Sequence, residues 1–93
     1  MIEIHIEKHK LTVTGHAGAA PKGEDLICAA VSILVHSLDA MLSTYGEDIK
    51  TELSEGRYIL EGIGTAEAAV AIEMALRGFE LLQQHYPEYI KIF

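Results

Sequence analysis

Apolar and polar residues alternate along the N-terminal part of the chain. In MIEIHIEK the isoleucines occupy every second position, which is the period of a strand with one buried face. The alternation resumes in LTVTG, so Lys8, His9 and Lys10 are predicted to form the turn of an antiparallel hairpin. The second strand of this hairpin ends at Gly15 and His16.

A helical pattern extends from about Glu24 to Tyr45, and Gly46 follows it as a stop signal. Its first half is apolar nearly all round, whereas a surface helix needs only one apolar stripe. We therefore expect a second surface to cover this helix. A second copy of the chain, giving a homodimer, is the preferred interpretation, and complete burial within one chain is the alternative.

The rest of the chain repeats the order of two strands and a helix. DIKTELSEGRYILEG predicts a hairpin with Glu55 and Gly56 in its turn. TAEAAVAIEMALRGFELLQQHY predicts a helix with Thr65 as its N-cap and Pro87 after its end. Its apolar stripe is formed by Ala69, Ile72, Leu76 and Phe79. The tail EYIKIF predicts a last strand, so the order ββαββαβ indicates an α+β fold with a mostly antiparallel sheet, in one domain over residues 1–93.

Composition and charge restrict the class of protein. With 93 residues, 49% of them hydrophobic, the chain can bury one modest core, and its single cysteine, which cannot form an internal disulfide, favours a reducing compartment. No signal peptide is recognisable, and the longest apolar run, Leu26 to Val35, is too short to span a bilayer. We therefore expect a cytoplasmic protein that binds no membrane. The net charge of −7 argues against a nucleic-acid partner and favours a basic protein partner.

The reactive side chains of the chain are concentrated between Gly15 and Ser32. Cys28 is predicted in the first turn of the first helix, where unpaired backbone N–H groups and the helix dipole stabilise a thiolate. The same N–H groups are candidates to bind an oxyanion. His16 is the candidate base, Asp25 is placed to orient it or to contact substrate, and Ser32 shares a helix face with Cys28.

The spacing of Cys28 and His16 leaves other interpretations open. A lone cysteine in an apolar helix is most often a buried, unreactive thiol. A thiol-redox enzyme is disfavoured because the chain has no second cysteine to resolve a disulfide. The remaining histidines are expected on surfaces or in a subunit interface: His5, His9, His36 and His85. None of the histidines has metal-ligand spacing, so we expect neither a metal nor a cofactor.

The segment GHA…GEDLICAAVS closely resembles the ribosomal-processing cysteine proteases, the Prp family of Firmicutes and related bacteria. The resemblance extends over nearly the whole chain. Its most specific part is a set of residues around the start of the first helix: Gly15, His16, Ala17, Gly23, Asp25, Cys28, Ala29 and Ser32. The resemblance implies a homodimeric cysteine endopeptidase that removes a short N-terminal extension from a basic protein of the large ribosomal subunit.

The same resemblance implies roles for individual residues. Cys28 is the nucleophile, and His16 is the general base and then the acid that protonates the leaving amine. The implied supporting or substrate-binding residues are Gly15, Ala17, Gly23, Asp25 and Ser32. Residues 17–24 correspond to a flexible substrate-binding loop. The alternative function is a non-enzymatic, dimeric, ribosome-associated binding protein of the same fold, in which replacing Cys28 leaves function intact.

Overall fold

The computed structural model describes residues 1–16 and 25–93. The elements follow the order ββαββαβ, which confirms the α+β class. They are β1 (Ile2–Glu7), β2 (Lys10–Gly15), α1 (Leu26–Tyr45), β3 (Ile49–Ser54), β4 (Arg57–Gly62), α2 (Ala66–His85) and β5 (Ile90–Ile92).

The five strands form one sheet in the order β3-β4-β2-β1-β5. Both predicted hairpins are present, and in the described part of the chain one strand pair, β5 with β1, is parallel, so the sheet is mostly antiparallel as expected. The register places Ile4 opposite Val13 and Val13 opposite Tyr58, so these buried side chains share one face of the sheet. β3 lies at the sheet edge and its side chains are mostly exposed.

Both helices cover the buried face of the sheet and pack against each other. The side chain of Leu34 in α1 lies against Gly78 in α2, and the Thr65 hydroxyl donates a 2.6 Å hydrogen bond to the Tyr45 carbonyl. Because the middle of α1 meets the far half of α2, and the end of α1 meets the start of α2, the helices are antiparallel. The result is a two-layer sandwich with one hydrophobic core.

α1 begins at Leu26, after Asp25, whereas the predicted start at Glu24 lies outside the described residues. One face of α1 enters the core through Ile27, Val31, Val35, Leu38 and Leu42. The opposite side, which we call the outer face of α1, consists of Leu26, Ile33 and Met41, exposed by 82%, 64% and 44%. The chain therefore does not bury this helix completely by itself.

α1 is also long and apolar enough to cross a membrane, by length and composition alone. The run from Leu26 to Val35 is too short by itself, but the apolar character of the helix continues to Tyr45. Core helices of soluble proteins have the same property, and one face of α1 packs in the core of this chain.

The predicted start of α2 is confirmed, and of its predicted stripe Phe79 is fully buried, Ile72 and Leu76 are partly buried against the core, and Ala69 is exposed. The Thr65 side chain accepts a 3.1 Å hydrogen bond from the Ala68 N–H and caps the helix. The prediction for Ala69 was wrong, because the neighbouring Ala68 is the alanine that is fully buried. Alanines occur on several sides of α2, so the apolar pattern did not determine which of two neighbouring alanines faces the core.

Candidate active site

A cavity of about 650 Å³ lies between the first half of α1 and the end of the sheet at which β2 stops. This volume is within the range of ligand-binding clefts. His16 and Cys28 both line the cavity, so the fold brings the two sequence-predicted reactive residues to one site. The other walls come from the start of β1 and from the hairpin that joins β3 to β4.

Cys28 is the third residue of α1, and its position depends on the cap of that helix. Its side chain is half-buried, packs partly against the core and also lines the cavity. A thiol in this position is not enclosed in the core as an inert hydrophobic residue would be. It has both a fixed backbone and access to a bound molecule.

Asp25 is the N-cap of α1. One oxygen of its carboxylate, Oδ1, accepts hydrogen bonds from the N–H groups of Ile27 and Cys28, at 3.1 and 3.0 Å. Two of the N–H groups that the sequence offered for an oxyanion are therefore already engaged. The carboxylate also places a negative charge at the start of α1, beside Cys28.

His16 follows directly after β2 and is exposed. Its ring lies against the turn between β3 and β4. The ring is so close to this turn that a Cβ added at Gly56 would be 2.9 Å from His16 Nε2. The preceding residue, Gly15, has a φ of +97° and donates its N–H to the Gly56 carbonyl at 2.9 Å. The Met1 amino group donates to the His16 carbonyl at 2.6 Å. The backbone of His16 is thus held from two sides.

Several cavity residues were not singled out from the sequence. They are His36 and the hairpin residues Leu53, Ser54, Glu55, Gly56, Arg57 and Tyr58. His36 had a usable signal, because Cys28, Ser32 and His36 recur every four residues along α1 and line the same wall. The hairpin had none, since only the pairing of β4 with β2 brings it to His16.

Tyr58 is buried at the cavity and connects the hairpin to α1. Its hydroxyl donates a 3.2 Å hydrogen bond to Oδ1 of Asp39. Burial, followed by the neighbouring Asp39 carboxylate, raises the pKa of Tyr58 well above its ordinary value. The phenol therefore stays protonated and acts as a hydrogen-bond donor at neutral pH.

The remaining predicted site residues divide into two groups. Gly15 and Ser32 line the cavity. Ala17, Gly23 and the predicted substrate-binding loop over residues 17–24 lie outside the described residues. Within residues 1–16 and 25–93, no three or more His, Cys, Asp or Glu side chains are grouped to hold a metal ion.

An α+β domain that presents a thiol and an imidazole to one cavity has the parts of a cysteine-dependent hydrolase. The family model described as cysteine protease Prp matches residues 1–91. The chain belongs to this family and is a cysteine protease.

Two relatives named ribosomal processing cysteine protease Prp are similar to the chain over almost its full length. The protein from Mycoplasma pneumoniae is 30% identical over 91 residues, which cover 97% of this chain and 91% of the relative. The protein from Mycoplasma genitalium is 32% identical over 97 residues, covering 99% and 94%. These relatives confirm the family resemblance and favour the enzyme over the non-enzymatic binding protein.

A solved structure of the family has the same fold. It is the essential ribosomal processing protease Prp from S. aureus in complex with a covalently linked product peptide. Its TM-score to this chain is 0.83 at 18% identity, over 98% of this chain and 94% of the other. At this identity the likeness supports the fold.

Proposed function

We propose that this protease removes a short N-terminal extension from a basic protein of the large ribosomal subunit, with Cys28 as nucleophile and His16 as general base. The observation that carries the proposal is that both side chains line one cavity. Ribosomal processing is part of the name of both Mycoplasma relatives. The acidic balance of the chain, 14 acidic against 7 basic residues, suits a basic substrate protein.

In the acylation step His16 removes the proton from Cys28 Sγ, and the thiolate attacks the carbonyl carbon of the scissile peptide bond. The carbonyl oxygen takes the negative charge of the tetrahedral intermediate. When this intermediate collapses, the C–N bond breaks, and the His16 imidazolium gives its proton to the leaving amine. The N-terminal fragment of the substrate remains on Cys28 as a thioester.

In the deacylation step His16 removes a proton from a water molecule, which attacks the thioester carbonyl. The C–S bond then breaks, the fragment leaves as a carboxylic acid that loses its proton to water, and the proton on His16 returns to Sγ. Each cycle consumes one water and one peptide bond and restores the thiol. The proposed reaction therefore uses neither a metal nor a cofactor.

Other residues of the site support this chemistry. Asp25 caps α1 and thereby fixes the position of Cys28 at the helix start. Ser32 lies one turn further along the cavity wall, where we assign it a contact with the bound peptide. Gly15 holds the backbone that carries His16. Much of the lining is apolar, including Ile2, Val13, Val31, Val35 and Leu53, which favours a partly apolar peptide segment.

The proposed protease acts in the cytoplasm as a homodimer. The outer face of α1 is apolar, and the only charged residue in α1 is Asp39, which is half-buried beside Tyr58. An exposed, uncharged helix face of this kind is typical of a protein contact surface. A second copy of the chain would cover Leu26, Ile33 and Met41.

The test is a cleavage assay with the purified full-length chain. The substrate is a large-subunit ribosomal protein that carries its N-terminal extension, and the matched control lacks the extension. We expect the wild type to shorten only the extended form, with one new N-terminus by mass spectrometry. Cys28→Ser and His16→Ala should lower the rate by roughly 10³-fold or more, as loss of a nucleophile or its base does elsewhere.

The matched histidine control is His85→Ala, at an exposed position in the last turn of α2 outside the cavity lining. It should keep the wild-type rate. Full cleavage by Cys28→Ser would contradict the proposed nucleophile. Absence of cleavage of the extended protein by a folded wild type would contradict the proposed substrate.

A further inference from the structure

The hairpin formed by β3 and β4 contacts both elements that carry the proposed catalytic pair. Its turn lies under the His16 ring, and its second strand is hydrogen-bonded to α1, the helix that bears Cys28. We propose that this hairpin positions His16 relative to Cys28, with Gly56 and Tyr58 as its positioning residues. The proposal rests on the roles assigned above to Cys28 and His16.

Gly56 is the residue of the turn that the imidazole ring of His16 lies against. Its φ is +71°, a conformation that L side chains rarely adopt, and a Cβ there would approach His16 Nε2 to 2.9 Å. Real Cβ atoms are essentially never this close to a neighbour, so any side chain at position 56 displaces the ring. The Gly56 carbonyl also accepts the Gly15 N–H at 2.9 Å, which joins the turn to the backbone immediately before His16.

Tyr58 fixes the other side of the hairpin. Tyr58 is 1% exposed and pairs with Val13 of β2, so its ring is packed on the buried face of the sheet. Its hydroxyl donates to Asp39 on α1 at 3.2 Å. Asp39 and Cys28 lie on the same continuous helix, α1. The hydrogen bond from Tyr58 to Asp39 therefore fixes the start of α1 relative to the turn between β3 and β4.

The two contacts together explain how a histidine after a strand and a cysteine on a helix can keep a defined separation. His16 follows β2 and Cys28 lies on α1, and the hairpin is hydrogen-bonded to both of these elements. Displacement of a reacting group by about 1 Å can cost roughly 100-fold in rate. The hairpin therefore acts on the reaction through His16 and not by contact with the reacting atoms.

The first test replaces Gly56 with alanine and compares Gly64→Ala. The two glycines have almost the same φ, +71° and +70°, so both variants carry the same backbone strain. At Gly64 the added Cβ meets the Ile49 side chain and does not touch His16. We expect Gly56→Ala to lower kcat roughly 10- to 100-fold with little change in KM. Gly64→Ala should keep the wild-type kcat although both variants lose thermal stability.

A double-mutant cycle separates positioning from general damage. If Gly56 acts through His16, Gly56→Ala has no further effect on the residual rate of a His16→Ala chain. Equal losses in both backgrounds, or a wild-type kcat for a folded Gly56→Ala, would overturn the proposal. A His16→Ala chain with the wild-type rate would instead refute the proposed base, and the two failures are therefore distinguishable.

Tyr58→Phe provides a second variant that keeps the ring and its packing. Loss of the hydroxyl should lower kcat several-fold, leave KM unchanged, and have no effect in the His16→Ala background. The control is Tyr86→Phe, at an exposed tyrosine outside the cavity lining. If Tyr58→Phe matches the wild type in kcat, the bond to Asp39 has no positioning role and the proposal fails.

Discussion

Both helices of this protein begin after a capping side chain, but only the cap of α1 lies at the cavity. Each helix has 20 residues. The Asp25 side chain accepts hydrogen bonds from two N–H groups in the first turn of α1, and the Thr65 side chain accepts one in the first turn of α2. Thr65 caps α2 with a neutral hydroxyl, whereas Asp25 caps α1 with a carboxylate next to Cys28. The two caps therefore stabilise their helices in the same way, and only the cap of α1 places a negative charge beside a cavity residue.

The outer surfaces of the two helices also differ. α2 has charged residues along its length. The guanidinium nitrogens of Arg77 lie 3.3 Å from Oε1 of Glu73 and 3.8 Å from Oε2 of Glu80. Its exposed large apolar residues are Val70, Met74 and Leu81, and Arg77 lies among them on the same side of the helix. The outer face of α1 has no charged residue, so α1 is the helix that is suited to a second copy of the chain.

Among the differences between the two helices, the largest expected effect comes from placing a charge on the outer face of α1. Ile33→Glu should weaken the proposed homodimer by about 30-fold or more, because a carboxylate would be buried in the proposed contact without a partner. Val70→Glu on α2 is the matched control, since Ile33 is 64% and Val70 is 67% exposed. Analytical ultracentrifugation of the wild type and both variants measures the dissociation constants.

Dissociation by Ile33→Glu alone would place the contact on α1. Dissociation by both variants would extend the contact to α2. A wild type that sediments as a monomer at micromolar concentration would contradict the homodimer, and the outer face of α1 would then need another partner.

The caps provide a smaller and more local comparison. Asp25→Ala and Thr65→Ala should each lower the free energy of unfolding by about 1 kcal/mol, since each removes a capping acceptor. Only Asp25→Ala should also lower kcat/KM, because α1 carries Cys28 and α2 contributes nothing to the cavity lining. Chemical denaturation and the cleavage assay test the two parts separately. Equal losses of activity in both variants would show that stability alone determines the rate.

The smallest expected effect isolates the charge of Asp25. Asp25→Asn keeps a good N-cap residue and removes the carboxylate charge that opposes a thiolate. We expect unchanged stability and a few-fold faster alkylation of Cys28 at neutral pH, measured by mass spectrometry. Slower alkylation would contradict the interpretation of Asp25 as an opposing charge and would favour its predicted role in orienting His16.

The sequence was sufficient to predict features that depend on neighbouring residues. Both hairpins, the cap at Thr65, the turn at Glu55 and Gly56, and the last strand follow from local periodicity and turn chemistry. The cap at Asp25 was missed for another reason. The acidic residues before α1 were assigned to the helix itself, whereas Asp25 stands immediately before the first helical residue.

The cavity depended on pairing between distant strands, which one sequence does not determine. Tyr58 and Gly56 reach His16 only because β4 pairs with β2, and no local pattern gives that pairing. The choice between Ala68 and Ala69 failed because both are small and apolar. The roles of Cys28 and His16 remain predictions, supported by their shared cavity.

The most direct test of the account is the reactivity of Cys28 towards iodoacetamide in the folded wild type and in His16→Ala. Alkylation would be followed by mass spectrometry from pH 5 to 9 on the native chain and on the unfolded chain. A free thiol is only a few per cent ionised at pH 7. We therefore predict that wild-type Cys28 reacts faster at pH 7 than it does in the unfolded chain, and that His16→Ala removes this advantage. A thiol that reacts only after unfolding, or that reacts equally fast without His16, would contradict the catalytic pair.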